Sequence, residues 1–250
     1  MTDFASKTAI VTGAASGIGE AIALELGRRG AHVIVSDMDA EGSERVAGAI
    51  RAAGGAASSK PCDVSDPAEC EALVAFAESE TGALHLAVNN AGIGGPSAPA
   101  GEYPLDGWQK VIEVNLNGVF YGMRYQIPAL GRAGGGAIVN IASILGSVGF
   151  ANASAYVAAK HGVVGLTKTA AMEYAAQGIR INSVGPAFID TPLLSKNLSP
   201  EILAALAGMH PVGRLGTSEE VSALVCFLLS DRASFITGSY HLVDGAYTAQ

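Results

Sequence analysis

A chain of 250 residues with 49% hydrophobic and 15% charged side chains carries enough apolar material for one core, which excludes a disordered or fibrous protein. Fifteen Lys and Arg against 23 Asp and Glu leave a formal net charge of −8, which repels nucleic-acid backbones and anionic membrane surfaces and excludes both as partners. Ordinary chains are about 25% charged, so this surface is expected to be partly buried between subunits of a homo-oligomer.

The chain opens with MTDFASKTAIVTG, in which Asp3 and a short apolar run are unlike a signal peptide. No stretch approaches the ~18 apolar residues that cross a bilayer, and a cytoplasmic location is expected. Thr8 to Val11 reads as a buried strand. Ile18 to Arg29, with Ile22, Ala23 and Leu26 at helical spacing, reads as the helix after it. Between them lies Thr12-Gly13-Ala14-Ala15-Ser16-Gly17-Ile18-Gly19. Such a turn from strand to helix aims backbone N–H groups at one spot, which suits a pyrophosphate, and glycines let the backbone approach it. Gly13, Ser16, Gly17, Ile18 and Gly19 are the candidate cofactor residues. The spacing is GxxxGxG rather than the common GxGxxG, and a tight turn that binds nothing also explains it.

His32 to Ser36 is the second strand. Asp37 at its end lies eighteen residues beyond Gly19, close to the ~20 at which an acid meets an adenosine ribose in such folds. Its carboxylate repels a 2′-phosphate, and neither Ser16 nor Met38 supplies a cation for one, so NAD(H) is preferred over NADP(H). The alternative is a solvated loop acid. Asp63 and Val64, read as the end of a third strand, place a carboxylate near the adenine amino group, unless Asp63 caps the helix that follows. That helix, Ala68 to Glu80, is opened by Asp66 and Pro67. Leu84 to Val88 is the next strand, the loose segment Gly92 to Gly107 and the glycine run Gly131 to Gly136 are connections, and no linker divides the chain.

Ala137 to Ile141, a helix from Ser154 to Gln177 and Arg180 to Val184 continue the alternation. Strand, helix, strand repeated about six times predicts a single α/β domain over residues 1–250, a doubly wound parallel sheet with helices on both faces. Its cofactor part is about 1–140, and its catalytic, lid and oligomer-contact part about 141–250. Tyr156 and Lys160 are four apart and share a helix face. An ammonium within a few ångströms favours the phenolate and draws a phenol pKa from ~10 toward neutrality, although a pair at this spacing also arises by chance. Ser143, thirteen residues ahead of Tyr156, follows a strand, and the carboxyl ends of strands are where such sheets bind ligands.

Pro192 to Val212 is a candidate lid. Ser199-Pro200-Glu201 opens a helix whose apolar face is Leu198, Ile202, Leu203, Leu206 and Met209; ordinary core packing explains that stripe equally well. If the lid closes, Leu193 and Leu206 join Ile144, Leu145, Phe150 and Phe188 in an apolar substrate pocket. Only Lys196 and His210 in this stretch could receive an anion, so a neutral, fairly apolar ketone or secondary alcohol is expected. His161 points about 100° away from Lys160 on a helix and is assigned to packing or the surface, and Trp108 to helix packing. Cys62, Cys70 and Cys226 have neither CxxC spacing nor a histidine pair nearby, so reduced thiols and no metal site are expected.

TGAASGIG, Asn89-Asn90-Ala91-Gly92, Asn115 in VNLNG, Ser143, YVAAK and Pro186 after RINSVG together resemble the short-chain dehydrogenase/reductase family, and the likeness runs from about Lys7 to Gly245. The resemblance implies a Rossmann-type fold and hydride transfer between a nicotinamide and a ketone or secondary alcohol. It implies Tyr156 as general acid or base, Ser143 as the holder of the substrate oxygen, Lys160 on the nicotinamide ribose, and Asn115 as support for a proton-carrying water chain. Asn89, Ala91 and Gly92 are implied beside the adenosine ribose, and Pro186, Ile189 and Thr191 beside the nicotinamide. The pattern is similar to bacterial NAD(H)-dependent ketoreductases and secondary alcohol dehydrogenases. A dehydrogenase of a cyclic diol or sugar is the alternative, and a non-catalytic NAD(H)-binding redox sensor a different class. A homotetramer is implied through the helix near Ser218 to Ser230 and the tail Thr237 to Gln250. Two departures stand out. Pro186-Ala187 replaces the usual Pro-Gly, which asks the backbone to give up positive φ there, and Val243-Asp244-Gly245-Ala246 replaces the usual VDGG.

Overall fold

The computed structural model of the chain describes residues 3–195 and 199–249, apart from the side chains of residues 193 and 195. Seven strands, β1 Thr8–Thr12, β2 His32–Ser36, β3 Ala56–Ser59, β4 Leu86–Asn89, β5 Gly136–Ile141, β6 Ile179–Pro186 and β7 Tyr240–Val243, form one sheet in the order β3-β2-β1-β4-β5-β6-β7. Every pairing is parallel. Parallel neighbours need crossovers, supplied by α1 Gly17–Arg28, α2 Ala40–Ala52, α3 Pro67–Thr81, α4 Leu105–Ile112, α5 Gly118–Arg132, α6 Ser154–Tyr174, α7 Pro192–Ser195, α8 Pro200–Gly208 and α9 Ser218–Leu229.

Period-two alternation sends neighbouring strand residues to opposite faces. Ala9, Val11, Val33, Val35, Val88 and Val139 pack with Ile22 and Leu26 of α1, Val46 of α2 and Val225 of α9. Ile10, Ile34, Ala87, Ile138 and Ile181 face the other way, onto Leu73 of α3, Ile127 of α5 and Ala170 of α6. Both faces are therefore covered, which is why these strands read as unbroken apolar runs. Each fully buried isoleucine among them contributes roughly 1.5–3 kcal/mol.

After β3 at the edge the chain returns to place β4 beside β1, and the crevice above β1 and β4 is the switch point where such sheets bind ligands. The underside is closed by polar pairing. Thr8 and His85 exchange two bonds there: the Thr8 N–H donates to His85 Nδ1 (3.1 Å), and the His85 N–H donates to the Thr8 carbonyl (3.1 Å). The Arg180 guanidinium donates to the carbonyls of Leu228, Leu229 and Ser230 at the end of α9.

Two expectations shift. β3 ends at Ser59, so Asp63 and Val64 lie in the loop beyond it rather than at the strand's end. The helix expected over Ser154 to Gln177 is α6 to Tyr174, finished by a tight turn over Ala175–Gln177.

Candidate active site

The glycine turn sits at the top of β1 and is built to be thin. Gly13 has φ +63°, and a Cβ on it would lie 2.7 Å from Ala91 Cα, while one on Gly19 would lie 2.1 Å from the Gly13 carbonyl oxygen. Asn90 braces the turn, donating from Nδ2 to the carbonyls of Thr12 (3.0 Å) and Gly13 (2.9 Å), and the Thr12 hydroxyl accepts from the Asn90 N–H (3.1 Å). Sequence reasoning passed over Thr12 and Asn90; the second asparagine of NNAG was the available signal. Ser16 is the N-cap residue of α1, yet its exposed side chain makes no capping bond, so the helix N-terminus keeps its free N–H groups for an anion. Ile18 packs inward, and Thr191, at the entry of α7, lies 3.3 Å from the position of a Cβ on Gly17.

Asp37 stands at the end of β2, half-buried, with Oδ2 accepting from the Ala15 N–H (3.1 Å) and Oδ1 from the Asp39 N–H (3.1 Å). A carboxylate has about four acceptor sites, so it can still receive two ribose hydroxyls. Met38 beside it is 67% exposed. Arg45 reaches the turn, where it donates to the Ala15 carbonyl (2.8 Å) and pairs with Glu20 (2.7 Å), so it is engaged rather than free for a phosphate. Asp63 accepts from the N–H (2.9 Å) and hydroxyl (2.6 Å) of Ser65, which hold its carboxyl below the usual range. The helix that follows is capped by Asp66, through the Ala68 N–H (2.8 Å), so the capping alternative for Asp63 falls. Val64 is buried beneath Gly118.

Asn89 faces away from the crevice. Its amide is spent on Gln126 (3.0 and 2.8 Å) and Asn140 (2.9 Å) in a buried polar cluster, which leaves only its backbone toward a cofactor. Ala91 and Gly92 continue along the crevice, and a Cβ on Gly92 would meet Asn115 Oδ1 at 3.2 Å and Lys160 Nζ at 3.8 Å.

Asn115 lies in a π-helical turn, Glu113–Asn117, inserted between α4 and α5. Its side chain accepts from the Ile93 N–H and donates to the Ile93 carbonyl, each at 2.8 Å. Lys160, 3% exposed, donates to the Ile141 carbonyl (2.8 Å), and its Nζ lies 5.5 Å from the centre of the Tyr156 ring. Desolvation lowers the lysine pKa to about 8. It also raises the Tyr156 phenol above its ordinary value, an effect that the Ser143 hydroxyl partly offsets. The expected lowering of the phenol is therefore not found in the chain alone: the amine sits over the ring, not at the oxygen, and burial outweighs it. Ser143 opens the turn Ile144–Gly146, its hydroxyl accepting from the Leu145 N–H (3.2 Å).

Among the substrate candidates, Phe150 and Phe188 meet edge to face with centroids 5.9 Å apart, and Phe188 continues to His210 and Tyr247, each at 5.9 Å. This is an aromatic wall. Leu145 and Leu206 are buried nearby in sequence to it, but Ile144 is 2% exposed and sealed in the interior, so it backs the site instead of lining an open pocket. The Leu193 side chain, with Lys196 and Leu198, lies outside the described residues. The lid stripe also turns: Leu203, Leu206 and His210 face inward, whereas Ile202 and Met209 are exposed. His210 bonds the Leu206 carbonyl through Nδ1 (2.8 Å), and its buried Nε2 has no partner among the described residues. His161 is exposed, as expected, and bonds back to the Val157 carbonyl, whereas Trp108, expected to pack helices, is 39% exposed and meets the Tyr103 ring edge to face at 6.5 Å. No cluster of metal-ligating side chains occurs among the described residues, and Cys62, Cys70 and Cys226 are free and buried.

Pro186 and Ile189 are buried under the loop that leaves β6. Ala187 between them carries no positive φ, and its N–H donates to the Val243 carbonyl (3.0 Å), so the missing glycine costs nothing there. The cost falls at the other departure, where Ala246 has φ +68°.

A family model described as enoyl-(acyl carrier protein) reductase matches residues 13–248. The chain is 53% identical over 247 residues to a protein named cyclohexanol dehydrogenase from Acinetobacter sp. strain SE19, covering 99% of this chain and 97% of that one. It is 48% identical to cis-4-hydroxycyclohexanecarboxylate dehydrogenase of Sinomonas cyclohexanicum, with 98% of each covered. Among solved structures, levodione reductase matches with a TM-score of 0.94 at 36% identity over 98% of this chain and 99% of that one.

Proposed function

The chain belongs to the short-chain dehydrogenase/reductase family, an oxidoreductase acting on CH–OH groups, and on that premise we propose that it interconverts a neutral cyclic secondary alcohol and its ketone with NAD(H) in preference to NADP(H). One observation carries the reading: Ser143, Tyr156 and Lys160 converge just beyond the carboxyl end of β5, where Lys160 also bonds the Ile141 carbonyl. The relatives at 53% and 48% identity are named for ring alcohols, which supports the substrate class.

The thin turn and the uncapped start of α1 fit a dinucleotide: Gly13, Ser16, Gly17, Ile18 and Gly19 would hold its pyrophosphate, and Asp37 its adenosine ribose. Asp63 and Val64 would flank the adenine. Ala91, Gly92 and the Asn89 backbone would follow the crevice, with Pro186, Ile189 and Thr191 at its nicotinamide end. Such a dinucleotide supplies the hydride acceptor for oxidation and the donor for reduction. Ser143 holds the substrate oxygen, and Tyr156 takes the hydroxyl proton in oxidation and returns it in reduction. Because burial raises the phenol, oxidation gains with rising pH and reduction loses. Lys160 meets the ribose and, once drawn toward the phenol, stabilises its charge. Asn115, anchored on Ile93, holds the turn beside the amine.

A cyclic diol is the second reading. It is supported by a relative 40% identical over 252 residues that is named for a cyclohexadiene diol, 2,5-dichloro-2,5-cyclohexadiene-1,4-diol dehydrogenase of Sphingobium indicum. Homotetramer assembly belongs to the same proposal, supported by the exposed Phe235 and Leu242 near β7 and by an apolar groove between α5 and α6 that includes Phe120, Ile127 and Leu166. A cytoplasmic location is proposed with it, supported by the three free thiols; among the described residues no helix is long and apolar enough to cross a membrane.

The test follows the absorbance of reduced nicotinamide with a panel of ring alcohols and ketones and either dinucleotide. Turnover is expected with NAD(H), and Tyr156→Phe should lower kcat by roughly 10²–10⁴ while cofactor binding persists. Flat absorbance across the panel would leave a redox sensor, and equal rates with NADP(H) would remove the role given to Asp37.

A further inference from the structure

Tyr240 belongs to none of the motifs above, and it stands on β7, the edge strand of the sheet. Its ring crosses β6 at Gly185. A Cβ on that glycine would lie 2.4 Å from the phenol oxygen and 2.5 Å from the ring, so only glycine admits the crossing. The ring then packs against the cluster of Ala142, Val163 and Val164, which joins the end of β5 to the helix that carries Tyr156 and Lys160. At the far end the phenol donates a hydrogen bond to the carbonyl oxygen of Ser143, with the Ser147 hydroxyl close by.

That carbonyl also accepts from the Gly146 N–H (2.8 Å), so both of its lone pairs are used. On the other side, the Ala142 N–H donates to the Val184 carbonyl (2.8 Å). The backbone is thus held by β6 at the Ile141–Ala142 peptide and by Tyr240 and the Gly146 N–H at the peptide that follows Ser143. With the peptide after it fixed and the chain anchored one residue before it, the Ser143 hydroxyl keeps little freedom beyond a side-chain rotation, which the Leu145 N–H restrains further.

We infer that Tyr240 is a positioning residue for the reaction: through the Ser143 carbonyl it holds the Ser143 hydroxyl in place beside Tyr156. The inference rests on the catalytic reading of Ser143 proposed above. A purely structural role for Tyr240 would reside in its ring, which Tyr240→Phe keeps; the positioning role resides in the hydroxyl, which that variant removes.

The experiment is a cycle of Tyr240→Phe, Ser143→Ala and the double variant, followed by alcohol oxidation and by hydrogen exchange of the 143–147 amides. Tyr240→Phe should lower kcat by about tenfold, the worth of one well-made hydrogen bond, with KM for the dinucleotide unchanged within about twofold. In the Ser143→Ala background the same change should cost less than about twofold, because the group it orients is gone. Equal losses in both backgrounds, or no loss in either, would overturn the inference. Exchange at the Leu145, Gly146 and Ser147 amides should quicken in Tyr240→Phe, and an unchanged rate would overturn it independently of turnover. If the wild type oxidises no alcohol, the proposed substrate fails, while the exchange measurement still decides on the clamp.

Discussion

Burial drives the two titrating groups of α6 in opposite directions, raising the Tyr156 phenol and lowering the Lys160 amine to about 8. For the amine this has a sign in stability. The unfolded lysine keeps its proton to about its ordinary 10.5, so between about 8 and 10.5 the unfolded chain binds more protons than the folded one, and stability rises with pH across that window. Below it the ammonium is a buried charge that folding must carry. Lys160→Met should therefore stabilise the cofactor-free protein at pH 7, by roughly 1–3 kcal/mol, while turnover is lost, and the gap between the two proteins in denaturant titrations should narrow toward pH 10. Backbone conformation offers a second case. Two positions where glycine is usual hold alanine, yet only Ala246 occupies the left-handed region, at φ +68°. Ala246→Gly should gain about 1 kcal/mol in thermal unfolding. Residue identity exposed both departures in the sequence, but which of them carries strain depends on the path of the loop, which residue types alone do not encode.

At the scale of elements, the π-helical turn Glu113–Asn117 aims one side chain at the backbone of one residue, the N–H and carbonyl of Ile93. Asn115→Ala would leave both the Ile93 N–H and its carbonyl without partners, and should cost roughly 2–4 kcal/mol in chemical denaturation, with a matching fall in turnover. The legible elements are those whose residues agree with their surroundings. β1 and β2 read as strands because both faces are covered, and α3 announces itself by Asp66 and Pro67. The end of β3 is read too late, at Asp63 and Val64, and β7 is not delimited: AASS lacks strand-forming side chains, and YHLV is only half-buried at the sheet edge, so neither carries a burial pattern. The catalytic candidates were legible because their spacing is local or motif-bound. Tyr240 was not, since its partner Ser143 is 97 residues away in sequence. The face of α8 is legible only in part for a related reason: a short apolar helix looks alike from several sides, and only packing selects Leu203 and Leu206 over Ile202 and, just beyond the helix, Met209.

Across the whole molecule the sheet separates two tasks, with ligand-directed loops above the carboxyl ends of the strands and the Thr8–His85 exchange beneath their amino ends. Burial and the charge of Lys7 lower the His85 pKa below its ordinary value of 6.5, and Nδ1 can receive the Thr8 N–H only while it is unprotonated. The unfolded chain then takes up a proton more readily than the folded one as pH falls through 6.5, so the stability that His85 contributes is present above that value and lost in acid. Unfolding midpoints measured from pH 7.5 down to 5 should drop more steeply for the wild type than for His85→Gln. Inactivation in a mildly sour medium would then begin as a loosening of the floor of the protein, far from the reacting oxygen, and returning the sample to neutrality should restore the rate in step with refolding.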